Sequence, residues 1–265
     1  MNAVSYIAIP AGRLLVVALF IVVALAISRR FRLGLESTLA VGALRGAVQL
    51  LAVGYVLQWI IGAHQAWTVC LALAAMTLVA GWTASHRIAS APASRAHLFG
   101  VASLCVAAGS VLALVPAFAF VLMPNPWYDP RYVIPISGMV LSNAMNTVAL
   151  VFDRIFSSVR AEADSVQVLL ALGARPEQAV MRQMRAALRG AMIPTINGLL
   201  TVGLVALPGM MTGQVISGVP PTNAVRYQLL ILYQLVAVAA VSGACAAWAA
   251  RRMLFTPLAQ LRMRI

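Results

Sequence analysis

Ile193-Pro194-Thr195-Ile196-Asn197-Gly198-Leu199-Leu200-Thr201-Val202-Gly203-Leu204-Val205-Ala206-Leu207-Pro208-Gly209-Met210-Met211-Thr212-Gly213-Gln214 decides how this chain folds. It is long and apolar enough to cross a bilayer. Yet it places Asn197, Thr201, Pro208, Met210, Met211 and Gln214 where lipid offers no partner, and polar side chains at such depth face protein or a pathway. Directly before it, residues 152–189 form the only long charged segment of the chain. Membrane-embedded and water-facing parts therefore meet at Pro194, where force would pass from one to the other.

The whole composition agrees with a membrane protein. Of 265 residues 62% are hydrophobic and 9% charged, against roughly 25% charged in a soluble domain, and the mean hydropathy is +0.93. All 19 basic residues are arginine. Without lysine there is neither a GxxxxGK[ST] phosphate loop nor a Schiff-base enzyme. The net charge of +13 would suggest nucleic acid in a soluble protein; here the arginines fall between apolar runs and mark topology against anionic lipid, so no nucleic-acid partner is expected. Cys70, Cys105 and Cys245 each stand alone in an apolar run and are expected to pack as small hydrophobes.

Seven apolar runs follow in order, 14–27, 38–61, 67–84, 98–123, 132–151, 193–216 and 229–250. Each reaches across ~30 Å of hydrocarbon at ~1.5 Å per residue, some with tilt or flanking residues. The first is the shortest and extends to about Ile7 if Arg13 snorkels. Ala24-Leu25-Ala26 behind it resembles a signal-peptide cleavage site, but Arg29, Arg30 and Arg32 favour an uncleaved helix held on the cytoplasmic side. With the N-terminus outside, fifteen arginines, Arg264 among them, lie inside and three (Arg13, Arg131, Arg226) outside, with Arg45 intramembrane. That asymmetry places the C-terminus in the cytoplasm. The expectation is an all-α, polytopic, seven-helix membrane protein, a single domain over 1–265 with a cytoplasmic segment at 152–194.

Several residues stand out against this background. Arg45 lies about 10 Å into the second run, with Gln49 one turn on. Together they line a path or grip an anionic group, or else Arg45 is a structural arginine bonded to carbonyls of a neighbouring helix. In the fifth run Asn143 and Asn146 share a face, either bonding between helices or lining a pathway. Pro208, with Gly209 and Gly213 after it, should kink or unwind the sixth run. Met210 and Met211 offer soft thioethers, but no nearby Cys or His completes a metal site, and core packing is the plainer role. No metal site or catalytic set is expected: His64, His86 and His97 all fall in loops, and no Ser/His/Asp set or HExxH is present.

The cytoplasmic segment has its own pattern. Val166, Leu169, Leu170 and Leu172 form an apolar run that stops at Gly173, a C-cap, and Pro176 then opens a second helix. There Arg182, Arg185 and Arg189 form one stripe and Val180, Met184 and Leu188 another, as in a helix lying on the membrane surface. Asp153, Glu162, Asp164 and Glu177 make the surface mixed in charge, suited to a protein partner.

Leu172-Gly173-Ala174, Pro176 and the arginine-bearing helix leading into Ile193-Pro194 resemble the coupling loop of ABC transporter permeases. Together with Arg45-xxx-Gln49-Leu50, Ser142-Asn143-Ala144-Met145-Asn146, Ile193 to Asn197, Leu207 to Gln214 and Ala224-Val225-Arg226-Tyr227-Gln228, the chain resembles the FetB-like permease family. These are bacterial iron exporters related to plant aluminium-tolerance proteins, and the likeness covers nearly the whole chain. It implies a multi-pass inner-membrane permease, working as a homodimer with a separate cytoplasmic ATPase that binds ATP and Mg. Coupling would run through Gln167, Leu172, Gly173, Ala174, Pro176, Arg182 and Arg185, and the pathway through Arg45, Gln49, Asn143, Asn146, Asn197, Pro208, Met210, Met211 and Gln214. One departure is visible: Gln167-Val168-Leu169 stands where such permeases typically carry Glu-Ala-Ala, which removes a salt bridge but leaves coupling by shape. A secondary transporter needs no ATPase but wants a buried Asp, Glu or His, which the expected spans lack.

Overall fold

The computed structural model describes residues 10–63, 65–88 and 91–262, and its secondary structure there is helical apart from two isolated bridges. The helices are α1 (Ala11–Arg30), α2 (Glu36–Ala63), α3 (Ala66–His86), α4 (Arg95–Pro116), α5 (Pro130–Ala161), α6 (Ala163–Ala171), α7 (Pro176–Thr201), α8 (Gly209–Ile216) and α9 (Pro221–Leu254). Five of them, α2, α3, α4 with the turns that extend it, α5 and α9, are long and apolar enough to cross a membrane. α1 contains the first expected span, and its 20 residues rise about 30 Å. The proposed extension to Ile7, His64 and Arg264 lie outside the described residues.

Contacts divide the chain into two compact units. One holds α1 and α2, with Ile216–Gly218. There the Ser28 hydroxyl donates to the Glu36 carboxylate at 2.8 Å, tying the end of α1 to the start of α2. The other unit begins at Gln65 and contains α3 to α7, α9 and most of α8. Its centre is α5, packed on α3, α4, α7 and α9. The α5 residues Val140, Ala144, Val148, Val151, Phe152, Ile155 and Phe156 are all buried, which is why this helix carries the strongest apolar stripe.

Close approach between these helices depends on small residues. A Cβ on Gly109 of α4 would fall 2.8 Å from Cβ and 3.0 Å from the backbone nitrogen of Ser242 on α9, and one on Gly81 of α3 would overlap Ser103 on α4. Small side chains let backbones touch where lipid gives no hydrophobic drive for association. Pro116 removes a donor from α4, and the helix widens to π-type turns at Ala117–Leu122 before Met123, at φ 40°, ends it.

Four sequence expectations need correction. The sixth span is not one helix bent at Pro208. α7 runs through Pro194 to Thr201, residues 202–208 are unwound around Gly203 (φ +79°), and α8 starts at Gly209. Pro208 thus precedes a helix, where its missing N–H costs nothing, and its carbonyl accepts from the N–H of Thr212 at 3.0 Å. The charged segment is not a separate loop from residue 152, because α5 continues to Ala161. The arginine-bearing helix does not keep its apolar stripe for lipid: Val180 is buried, and Met184 and Leu188 pack on the core, with α7 lying against α5 and α9. His86 is the last residue of α3 and His97 sits in the first turn of α4, so neither is in a loop.

Gly109→Leu should overpack the α4–α9 crossing and cost on the order of 1–3 kcal/mol, seen as a lower midpoint of thermal unfolding in detergent, whereas Gly100→Leu, at an open position with nothing within 4 Å, should leave it unchanged.

Candidate functional site

The exposed face of α5 carries polar side chains among apolar ones, where its other faces are core. Pro135, Met139, Ser142, Asn146 and Asp153 recur at helical spacing, and from Pro135 to Asp153 the helix rises about 27 Å, close to the hydrocarbon thickness of a bilayer. Two cavities follow this face. One, of about 500 Å³, is lined by Pro135, Met139, Ser142, Asn143, Asn146 and Leu235. The other, of about 340 Å³, is lined by Arg87, Asn146, Leu150, Asp153 and Pro194. Both include Asn146, and both are open on one side.

Hydrogen bonds fix the walls. The Asn143 amide donates to the Leu235 carbonyl of α9 at 2.7 Å and accepts from the Thr195 hydroxyl of α7 at 3.1 Å. This one side chain joins three helices. Arg87, just past α3, donates to the Asn146 side-chain oxygen at 2.7 Å. Arg154, one residue beyond Asp153, lies against Gly190 of α7. Pro194 cannot donate to the Gly190 carbonyl, so the guanidinium meets α7 at the turn where the helix lacks a hydrogen bond.

The other end of α7 forms an elbow with α6. Gly173 at φ +88° follows the C-cap Leu172. The N–H groups of Gly173 and Ala174 donate to the carbonyls of Leu170 and Leu169, each at 3.0 Å, the Schellman pattern that needs a left-handed residue. Pro176 then opens α7, and the Arg175 N–H donates to the Gln178 side chain at 2.9 Å. Val168, Leu169 and Leu172 are exposed, Leu172 at 79%, and Gln167 is exposed beside them. Two ties brace the elbow: Glu162 accepts from Arg182 at 2.5 Å and from Gln183 at 2.6 Å, and Glu177 pairs with Arg251 of α9. Arg182 foremost, then Gln183, holds the Glu162 carboxyl below the usual glutamate range. The charged tie is therefore complete at neutral pH and is lost only as pH falls through that lowered pKa.

The remaining residues singled out from sequence are spread more widely. Arg45 and Gln49 are exposed on one face of α2, in the first unit, and no hydrogen bond or ion pair to Arg45 occurs among the described residues. Asn197 is exposed near the end of α7, while Met210, Met211 and Gln214 are half-buried on α8 and Arg185 is exposed on α7. Among the described residues no group of three or more His, Cys, Asp or Glu could hold a metal. Sequence reasoning missed Arg87, Thr195 and Asp153. Arg87 had the look of a topology arginine, Asp153 of a loop acid, and only the pairing across 59 residues brings Arg87 to Asn146.

These features define a polytopic α-helical membrane protein with an open polar face on its central helix. The chain belongs to the uncharacterised protein family UPF0014, which matches residues 11–255. It is 40% identical to the Synechocystis membrane protein slr1647 of that family over 71% of this chain and 72% of the relative. It is 34% identical to the Escherichia coli protein named probable iron export permease protein FetB, over 92% and 91% of the two chains. It is also 35% identical to the rice membrane protein STAR2 over 94% and 86%. No solved structure gives a significant match.

Asn143→Leu should loosen the joint of α5, α7 and α9, costing about 1–2 kcal/mol for two interhelical hydrogen bonds; faster hydrogen exchange at both Thr195 and Leu235 would report it, and exchange faster at only one would show that the joint is not shared.

Proposed function

We propose that this chain is the membrane-spanning subunit of an ATP-driven exporter in the inner membrane, moving iron or another metal ion and energised by a separate cytoplasmic ATPase that holds ATP and Mg. The observation that carries the reading is the continuity of α7. Its first turn is the elbow and its last third is the wall of the polar face, since Pro194 lines the same cavity as Asn146 and Asp153 and Thr195 bonds Asn143. From Pro176 to Thr195 is about 28 Å of helix, with no unwound turn between.

The exposed apolar group Val168, Leu169 and Leu172 on a charged, water-facing elbow is the kind of patch that a protein partner covers. An ATPase docked there pushes α7 lengthwise, and the push arrives at Asn143 and Asn146. The lysine-free sequence supports a borrowed energy source, because it has no phosphate loop. The iron assignment rests on the relative named for iron export. Met139, Asn146 and Asp153 offer a passing cation oxygen and thioether contacts without a closed cage, which suits cargo that must leave again. In this reading the chain is one permease domain of seven spans, α1 and the broken α7–α8 stretch completing the five, with the N-terminus outside. Two copies form a homodimer that closes the open side of each polar face, with Asn197, Pro208, Met210, Met211 and Gln214 bordering the route, and Arg45 and Gln49 on α2 form a second polar pair for the cargo.

A secondary transporter is the second reading, favoured by one observation: Asp153, half-buried on α5, lines the polar face and gives the route the carboxylate that such a transporter wants. The two readings separate in vesicles. With the ATPase present, metal efflux should require ATP; efflux driven by a proton gradient alone and abolished by Asp153→Asn would establish the second reading.

The elbow has its own check. A Cβ at Gly173 meets nothing within 4 Å in this chain, so within the chain substitutions there act through φ, and a β-branched residue costs about 1–2 kcal/mol in that conformation. Gly173→Val should cut transport at least several-fold while ATP hydrolysis continues, and Gly173→Asn, which tolerates the left-handed region, should retain most of it. Equal transport by both variants would remove the elbow from the mechanism.

A further inference from the structure

Where α9 ends, four arginines gather around a basin of about 520 Å³: Arg175 from the start of α7, Arg251 and Arg252 from the last turn of α9, and Arg262 from the chain beyond it. Glu177 is the one carboxylate in the lining and is paired with Arg251, so among the described residues Arg175, Arg252 and Arg262 line the basin without a carboxylate partner. Thr256 adds a hydroxyl.

Arg262 is held there by a tight hook. Its N–H donates to the Leu254 carbonyl at 2.8 Å, the Thr256 N–H donates to the Gln260 carbonyl at 2.9 Å, and Phe255 bridges to Leu261. Phe255 is buried, anchoring the hook to the bundle. Arg252 is fixed as well, its guanidinium 3.8 Å from the centre of the Trp248 ring, a favourable cation–π distance.

A second cavity, of about 710 Å³, begins at these same two arginines and runs along α4 and α9 past Val101, Leu104, Ala108, Cys245 and Trp248. Leu104 and Trp248 are 70% and 50% exposed and both lie on helices able to span a membrane. Trp248 is one turn below Arg252, and Ala108 lies about 20 Å along α4 from its first residue. An apolar trough that descends into the bilayer from a cluster of guanidiniums, that of Arg252 fixed on Trp248, matches one kind of molecule. We infer that this is a binding site for an anionic phospholipid, its phosphate held by Arg252, Arg262 and Arg175 and an acyl chain lying in the trough beside Trp248. Guanidiniums pair with phosphate oxygens in bidentate fashion, and basic pockets between spans take anionic headgroups. A soluble anion would use the basin but has no use for the trough; a zwitterionic lipid would use the trough but brings a cation to the arginines.

Trp248 is the natural probe. The full chain, with Trp59, Trp67, Trp82 and Trp127 replaced by Phe, is placed in phosphatidylcholine vesicles containing a low, equal mole fraction of either phosphatidylglycerol or phosphatidylcholine brominated on the acyl chain. Brominated phosphatidylglycerol should quench Trp248 with several-fold higher apparent affinity. Arg252→Gln with Arg262→Gln should erase the preference while leaving the weaker quenching by brominated phosphatidylcholine, and Ala108→Phe should reduce quenching by both. Inorganic phosphate should not displace the lipid. Equal quenching by the two lipids in the parent protein overturns the inference without reference to any arginine variant. So does a preference that survives the double substitution, or displacement of the lipid by phosphate alone, which would make the basin a site for free anions.

Discussion

A polar side chain in the interior of a membrane protein gains by finding a partner, and Asn143 finds two at once. Its amide donates to the backbone of α9 and accepts from Thr195 of α7, so the three helices that carry the second unit are registered at one point. Each such bond between helices in a bilayer is worth about 1 kcal/mol, and its larger effect is to fix the register of the helices it joins. The position of Pro194, and with it the wall of the polar face, follows from this joint. Any displacement of α7 must either carry α5 and α9 along or exchange the Thr195 bond for another.

The same constraint explains how α7 can act as a strut although it contains Pro194. The proline leaves Gly190 without its helical donor, and Arg154 of α5 lies against that residue. Beyond Thr201 the chain unwinds through 202–208, with the N–H groups of Leu204, Val205 and Ala206 all turning back to the Thr201 carbonyl at 3.3, 3.0 and 3.4 Å. In the proposed mechanism, the unbroken helix from the elbow to the polar face, followed by a break, would confine a push from the elbow to the part of α7 that borders Asn146 and Asp153.

What could be read from the sequence was local chemistry. Gly173 and Pro176 declare the elbow because a left-handed C-cap and a proline in the first turn are each demanded by the backbone at that residue. The α5 stripe was visible in part as Ser142, Asn143 and Asn146. Features set by tertiary packing were not visible. Asp153 and the residues to Ala161 had the charge of a loop, but the buried run Val151, Phe152, Ile155 and Phe156 extends the helix beneath them. Val180, Met184 and Leu188 have the periodicity of a membrane-surface helix, and an apolar stripe has the same spacing whether lipid or another helix covers it. Pro208 marked the broken region but not the side of the break, since proline both ends helices and begins them.

The central claim is that nucleotide bound by a partner moves the wall of the polar face. A form of the chain with Cys70, Cys105 and Cys245 replaced by alanine and Asn146→Cys introduced, reconstituted with the proposed ATPase, gives the direct measurement: the rate at which a charged, water-soluble thiol reagent modifies residue 146 with and without ATP. The account predicts a several-fold change in rate that needs both ATP and the ATPase. A rate indifferent to nucleotide while the same vesicles export metal would contradict it.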